Sequence, residues 1–205
     1  MMQADVKSVP LPPPPSPSNS PQQASAEAIA WVQKRAAAWP EKTRRLAAQL
    51  VTKYGTPAEA TERQMTWYGN APWKKTTLYK EGAAHNFASA HQDVLEQTVG
   101  YKVPIDKIAA LVQFNGSLVV NRTRGELSSS ADSEDLNILA LNVADDMVRG
   151  ERNVEEARTY YAQIVRAKMI KEPEAYLQAL RFQPANNTGD PDELAPLIRH
   201  MSGGE

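Results

Sequence analysis

The chain has 205 residues, 23 lysines and arginines against 24 acids, 41% hydrophobic residues and no cysteine. Without cysteine there is no disulfide scaffold, no thiolate-ligated zinc or iron–sulfur site and no thiol nucleophile. A net charge of -1 argues against nucleic acid or an anionic membrane as the main partner, since both call for surplus lysine and arginine, and no apolar run approaches the roughly 18 residues that a membrane span needs.

Seven of the fifteen prolines lie between Pro10 and Pro21, in a stretch of Pro, Ser, Asn and Gln. Too few apolar side chains are present to offset ordering entropy, so residues 1–24 are expected to be a disordered proline-rich leader. Pro12 to Pro15 favour a polyproline conformation that an aromatic groove can bind, although a solubilising spacer is the more economical reading. Asp5, Lys7 and the prolines interrupt any signal-peptide core, so the expected location is the cytoplasm.

Ser25 is a good N-cap for a first helix stopped near Trp39 by Pro40. A second helix sets Leu46, Ala47, Leu50, Val51 and Tyr54 on one stripe and stops at Gly55. The period then changes. Met65–Tyr68 and Thr76–Tyr79 read as a β-hairpin around Gly69, Asn70 and Pro72, residues 81–92 as a loop, and Val94–Val103 as a third strand. Pro104 opens a short helix ended by Asn115-Gly116. Leu118–Thr123 and Glu126–Ala131 read as a second hairpin turning at Arg124-Gly125, with Thr123 facing Glu126. Two longer helices follow, one from Asp132 or Ser133 to Gly150 with a broad apolar face, the other starting at Asn153. Tyr176–Phe182 reads as a short helix or an edge strand, and residues 183–205 as a flexible tail with a short helix near Leu194 to Met201. The expectation is one α+β domain over residues 25–182: an antiparallel sheet of four to five strands, two hairpins and a central strand, with helices on one face.

No phosphate-binding glycine loop, zincin helix or hydrolase elbow is present. Three constellations can carry chemistry. His85, His91 and Asp93 form the first: two imidazoles and a carboxylate suit a divalent metal such as Zn or Fe(II), or acid–base work. A strand starting at His91 puts His91 and Asp93 on one face and Glu96 on the other, with His85 returned to them by the loop. The economical alternative is that these side chains tie a long loop to the sheet edge. The second comprises Trp67, Tyr68, Trp73 and Lys74, a cluster dense enough for a ligand platform or protein interface, though aromatics are more often core. Third is Arg124, which can clamp an anion beside a polar sheet face that is otherwise solvated surface. Lys34, Arg35, Lys42, Arg44, Arg45 and Lys53 also make one helical pair basic, whereas residues 132–146 are acidic. Balance of one by the other within the fold is the simpler account.

The run Lys53-Tyr54-Gly55-x-Pro57-x-Glu59-x-Thr61, then Trp67, Pro72-Trp73-Lys74, Tyr79, His85 and His91 to Glu96, resembles an uncharacterised family of bacterial proteins. The resemblance covers most of residues 40–182, implies a bacterial origin and carries no activity with it. The helix, Gly-x-Pro turn and Trp-Tyr strand are also similar to a unit in small lipoproteins of outer-membrane assembly, whose lipid-acceptor cysteine is absent here. The reading that follows is a non-enzymatic binding or interaction protein with a protein or small-molecule partner. Its competitor is a small metal-dependent or acid–base enzyme using His85, His91 and Asp93.

Overall fold

A computed structural model describes residues 24–186 and 190–193. The proline-rich leader up to residue 23 and the expected helix at Leu194 to Met201 lie outside the described residues. Helix α1 (Ala26–Arg35) starts where Ser25 accepts a hydrogen bond from the Ala28 amide, and α2 (Glu41–Tyr54) follows Pro40 and closes on Gly55 at a φ of 76°. Ala28, Val32, Leu46, Ala47, Leu50 and Val51 meet in one buried seam.

The sheet is antiparallel and open, with six strands in the order β1-β2-β3-β4-β6-β5: β1 (Glu59–Ala60), β2 (Gln64–Tyr68), β3 (Lys75–His85), β4 (His91–Gly100), β5 (Leu118–Asn121) and β6 (Glu126–Ala131). The α+β architecture is the expected one. The additional strand is β1, two residues long and without a pattern of its own. Residues 81–85 and 91–92 are strand, against the expectation of a loop, because β3 continues past a register shift between Leu78 and Ala83 and pairs His85 with His91. Polar and small residues from Lys80 to Ala84 offer no alternation. What holds them extended is the backbone ladder to β4. Gly82 is required there: a Cβ on it would lie 2.7 Å from the Asp93 carbonyl oxygen.

The second hairpin pairs Asn121 with Glu126 and Val119 with Ser128, a register two residues from the expected one. Arg124-Gly125 is not a two-residue turn, because Arg124 would need a left-handed backbone. The connection spans Arg122 to Gly125, with Gly125 alone at positive φ (57°) and its amide bonded to the Arg122 carbonyl. A shift of two keeps every side chain on its expected face.

One face of the sheet carries Met65, Trp67, Leu78, Leu95, Val99, Leu118, Leu127 and Ala131, all buried against helices. The other carries hydroxyls, with Thr66 against Thr77 and Thr98 against Ser128. A 3-10 turn at Ile105–Lys107 leads into α3 (Ile108–Phe114). Helix α4 (Glu134–Val148) is buried on nearly every side, as a helix apolar around most of its circumference must be. Each of its fully buried leucines and valines is worth about 1.5–3 kcal/mol in removal from water. Helix α5 (Val154–Met169) opens with a complete capping box between Asn153 and Glu156, a device worth about 1 kcal/mol. After it comes a 3-10 turn at Ala175–Leu177, held because Asn142 donates to the Tyr176 and Ala179 carbonyls. The Ala185 amide bonds to the Gly100 carbonyl, so attached chain reaches past Phe182. Lys42 and Lys53 of α2 pair with Asp132 and Glu134 at the head of α4, while Asp135, Asp145 and Asp146 pair with Lys168, Arg149 and Arg152, so the basic and acidic stretches meet only in part.

Candidate functional site

The hairpin of β3 and β4 carries the first constellation at its far end. His91 and Asp93 alternate onto the helix-covered face with Leu95, and the register shift in β3 sets His85 directly opposite His91. Glu96 points the other way, where it accepts from the Tyr79 hydroxyl (3.0 Å) and pairs with Lys75. The ligand-capable atoms of His85, His91 and Asp93 all lie within 4.8 Å of one another. His91 Nε2 is 3.0 Å from Asp93 Oδ1, and His85 Nδ1 is 3.4 Å from Asp93 Oδ2.

A fourth side chain arrives from a turn. Asn115 caps α3, and its Oδ1 accepts the Ser117 amide at 2.9 Å, fixing Ser117 at the entrance to β5. The Ser117 hydroxyl donates to Asp93 Oδ2 and lies 3.1 Å from His85 Nδ1. The site is enclosed, with side-chain exposures of 7% for His91, 8% for Asp93 and 18% for His85. Phe87, in the loop between the two histidines, stacks on Tyr161 at 5.1 Å, meets the edge of Phe114 and lies under the Arg158 guanidinium at 3.9 Å. The loop is thereby folded back onto α3 and α5. Burial raises the pKa of the Tyr161 phenol, and the carboxylates of Asp93, Asp132 and Asp135 raise it further. Asp132 lies near the same site. Burial works to raise its pKa, but the hydrogen bond and charge of Lys42 outweigh that and hold it below the ordinary carboxylate range.

Proton accounting gives this cluster its meaning. His91 Nδ1 is 2.8 Å from the Ser89 carbonyl oxygen; a carbonyl only accepts, so Nδ1 carries the hydrogen. In neutral His91 the Nε2 lone pair then faces a carboxylate oxygen 3.0 Å away. That oxygen, Asp93 Oδ1, is buried and receives no hydrogen bond within the described residues, so Nε2 is close to it yet not aligned on it. Two acceptors that close without a hydrogen bond between them are spaced as two ligands of one cation are. An ion held by Nε2 and Oδ1 satisfies both, and the Ser89 carbonyl supplies the outer hydrogen bond that metal-ligating imidazoles ordinarily make. Ser117 is not an activated nucleophile. Its proton goes to the carboxylate directly, whereas a hydrolytic triad places imidazole between serine and acid.

The other sequence candidates disperse. Trp67 and Trp73 are 2% and 1% exposed, so neither lines a surface. Their indole N–H groups donate to the Gly55 carbonyl and the Tyr54 hydroxyl, and the inward strand position of Trp67 and the polar network under α4 account for their burial. Tyr68 and Lys74 do reach solvent, but Tyr68 donates to Glu59 and Lys74 pairs with Glu126 at 2.8 Å. Arg124 sits in the exposed turn, its amide bonded to Asn121 Oδ1. Nothing brings these three to the His85 cluster. Sequence reasoning missed Ser117. The available signal was the Asn115-Gly116 turn, which forces the next residue to enter a strand at a fixed angle, but the partner of that strand end was not legible. Comparison of the chain with protein-family models, with curated proteins and with solved structures finds no match. No helix among the described residues is long and apolar enough to cross a membrane.

Proposed function

We propose that this is a non-enzymatic binding protein whose ligand is a divalent metal ion, held by His85, His91 and Asp93. The carrying observation is the buried Asp93 Oδ1 that no donor among the described residues satisfies although His91 Nε2 lies 3.0 Å away. A buried polar atom without a partner costs about 1–3 kcal/mol, and a cation at this point removes that cost. Enclosure favours holding an ion over catalysis, because a catalytic metal needs an open coordination position with room for substrate, while the imidazole and carboxylate groups here are four-fifths buried or more.

The test is metal content. Protein purified without chelator is expected to carry close to one equivalent of a transition metal by elemental analysis, and His91→Ala and Asp93→Ala to lose it while keeping native circular dichroism. Absence of metal, together with no uptake on dialysis against zinc, would remove this reading and leave the cluster as a tie between the hairpin and β5.

A further inference from the structure

Resting on the metal-binding reading above, the geometry points to an ion of the zinc class, taken through His85, His91 Nε2 and Asp93 Oδ1, with Ser117 as the positioning residue that holds the other carboxylate oxygen. The ion class follows from the donors. Calcium and magnesium are bound by six or more oxygens, and Cu(I) by thiolate and thioether sulfur, whereas two imidazoles and a carboxylate suit zinc and its first-row neighbours. Ligands bonded at about 2.0–2.1 Å to a tetrahedral centre lie roughly 3.3 Å apart. The separation of 3.0 Å from His91 Nε2 to Asp93 Oδ1 is close to that edge length, and the ligand-capable atoms of all three residues lie within 4.8 Å of one another.

The role of Ser117 follows from the two carboxylate oxygens having different partners. Oδ2 accepts the Ser117 hydroxyl, whereas Oδ1 has no donor among the described residues and lies 3.0 Å from His91 Nε2. A carboxylate gripped by one oxygen presents the other as a single ligand in a fixed direction, the task that outer-shell hydrogen bonds perform at metal centres. The grip is itself fixed, because the Ser117 amide is bonded to the side chain of Asn115. His85 Nδ1 lies 3.1 Å from the same hydroxyl oxygen, which can only accept there because its proton is donated to Asp93, so Nδ1–H orients the ring and the other ring nitrogen is the one free to ligate.

Competition titrations on the full chain with zinc, cobalt(II), magnesium and calcium decide the matter, with Ser117→Ala and Ser117→Thr as variants. Zinc and cobalt are expected to bind at one equivalent and resist millimolar magnesium and calcium, with the visible absorption bands of low-symmetry cobalt(II). Ser117→Ala is expected to weaken zinc by about 10–100-fold at unchanged stoichiometry, and Ser117→Thr to restore most of the loss. Should Ser117→Ala fold poorly, Ser117→Gly makes the same comparison, and the ion ranking of the unaltered chain tests the ion class by itself. Zinc binding that is indifferent to Ser117 overturns the positioning role. Preference for calcium or magnesium overturns the ion class. Both of those outcomes leave the metal-binding reading standing, whereas failure of every ion to bind removes it as well.

Discussion

Two acidic side chains are drawn into the helix-covered face of the same sheet, and the fold treats them differently. Glu134, at the head of α4, is saturated: Oε2 accepts from the Tyr54 hydroxyl at 2.7 Å and Gln97 at 3.1 Å, and Oε1 pairs with Lys53. Trp73 and Asn137 extend the network through Tyr54 and Gln97. Asp93, at the hairpin end, has one oxygen held by Ser117 and the other left without a donor. Asp146, also buried, is fully engaged by Arg149, Arg152 and Tyr176. Among the described residues Asp93 Oδ1 is the one carboxylate oxygen among the buried atoms without a partner. A buried acid whose contacts are complete is accounted for by folding. One with an oxygen left without a donor 3.0 Å from an imidazole nitrogen requires another cause.

Mutation separates the two regions most strongly. Glu134→Ala leaves the Tyr54 hydroxyl and the Gln97 amide buried without their acceptor, and chemical denaturation should show a loss of about 2–4 kcal/mol. In metal-free protein Asp93→Ala should cost less than about 1 kcal/mol, because an unsatisfied atom leaves along with the contact to Ser117. Equal losses at the two positions would erase the contrast.

The next effect comes from the ion. Zinc at about one hundred times its dissociation constant should stabilise the unaltered chain by about 2.7 kcal/mol, visible as a raised melting temperature, and should do nothing for Asp93→Ala. Stabilisation of the variant by the same amount would place the ion elsewhere.

Titration gives smaller effects of opposite sign. Asp132 has its pKa lowered in the fold chiefly by Lys42, against the opposing effect of burial. Its contribution is therefore complete above the ordinary carboxylate range and disappears as pH falls through its folded value. Asp132→Asn should flatten that part of the acid limb. Tyr79 behaves inversely: burial first, then the charge of and hydrogen bond to Glu96, push its pKa up to about 12. Its contribution is complete below the ordinary phenol value of about 10 and is lost as pH rises toward 12. Tyr79→Phe should remove that portion of the alkaline loss, read from denaturation midpoints between those limits. Smallest of all is Lys53→Met, which breaks a partly exposed pair with Glu134 and should cost under about 1 kcal/mol. A larger loss would mean that Glu134 depends on the lysine more than on Tyr54 and Gln97.

Helix faces and the strand alternation of Met65–Tyr68 and Glu126–Ala131 were legible because each burial choice repeats along the element. So was the shared face of His91 and Asp93, with Glu96 opposite. His85 was not, and the reason is arithmetic: an uninterrupted ladder from Leu78 opposite Leu95 would set Gly82 opposite His91, and only the register shift substitutes His85. No local pattern in Lys80–Ala84 announces that shift. Trp67 and Trp73 misled in another way, since aromatic density does not say which face will be covered. Ser117 was invisible because its relation to Asp93 joins residues 24 positions apart through β5 and a turn.

The central claim, that an ion belongs between His91 Nε2 and Asp93 Oδ1, is tested most directly by nitrogen-15 NMR of the histidine side chains during zinc titration. His91 Nδ1 should stay protonated against the Ser89 carbonyl throughout, while the Nε2 resonance of His91 and one ring-nitrogen resonance of His85 move to metal-bound positions and saturate at one equivalent. Imidazole resonances of both histidines that stay unchanged through excess zinc would contradict the account.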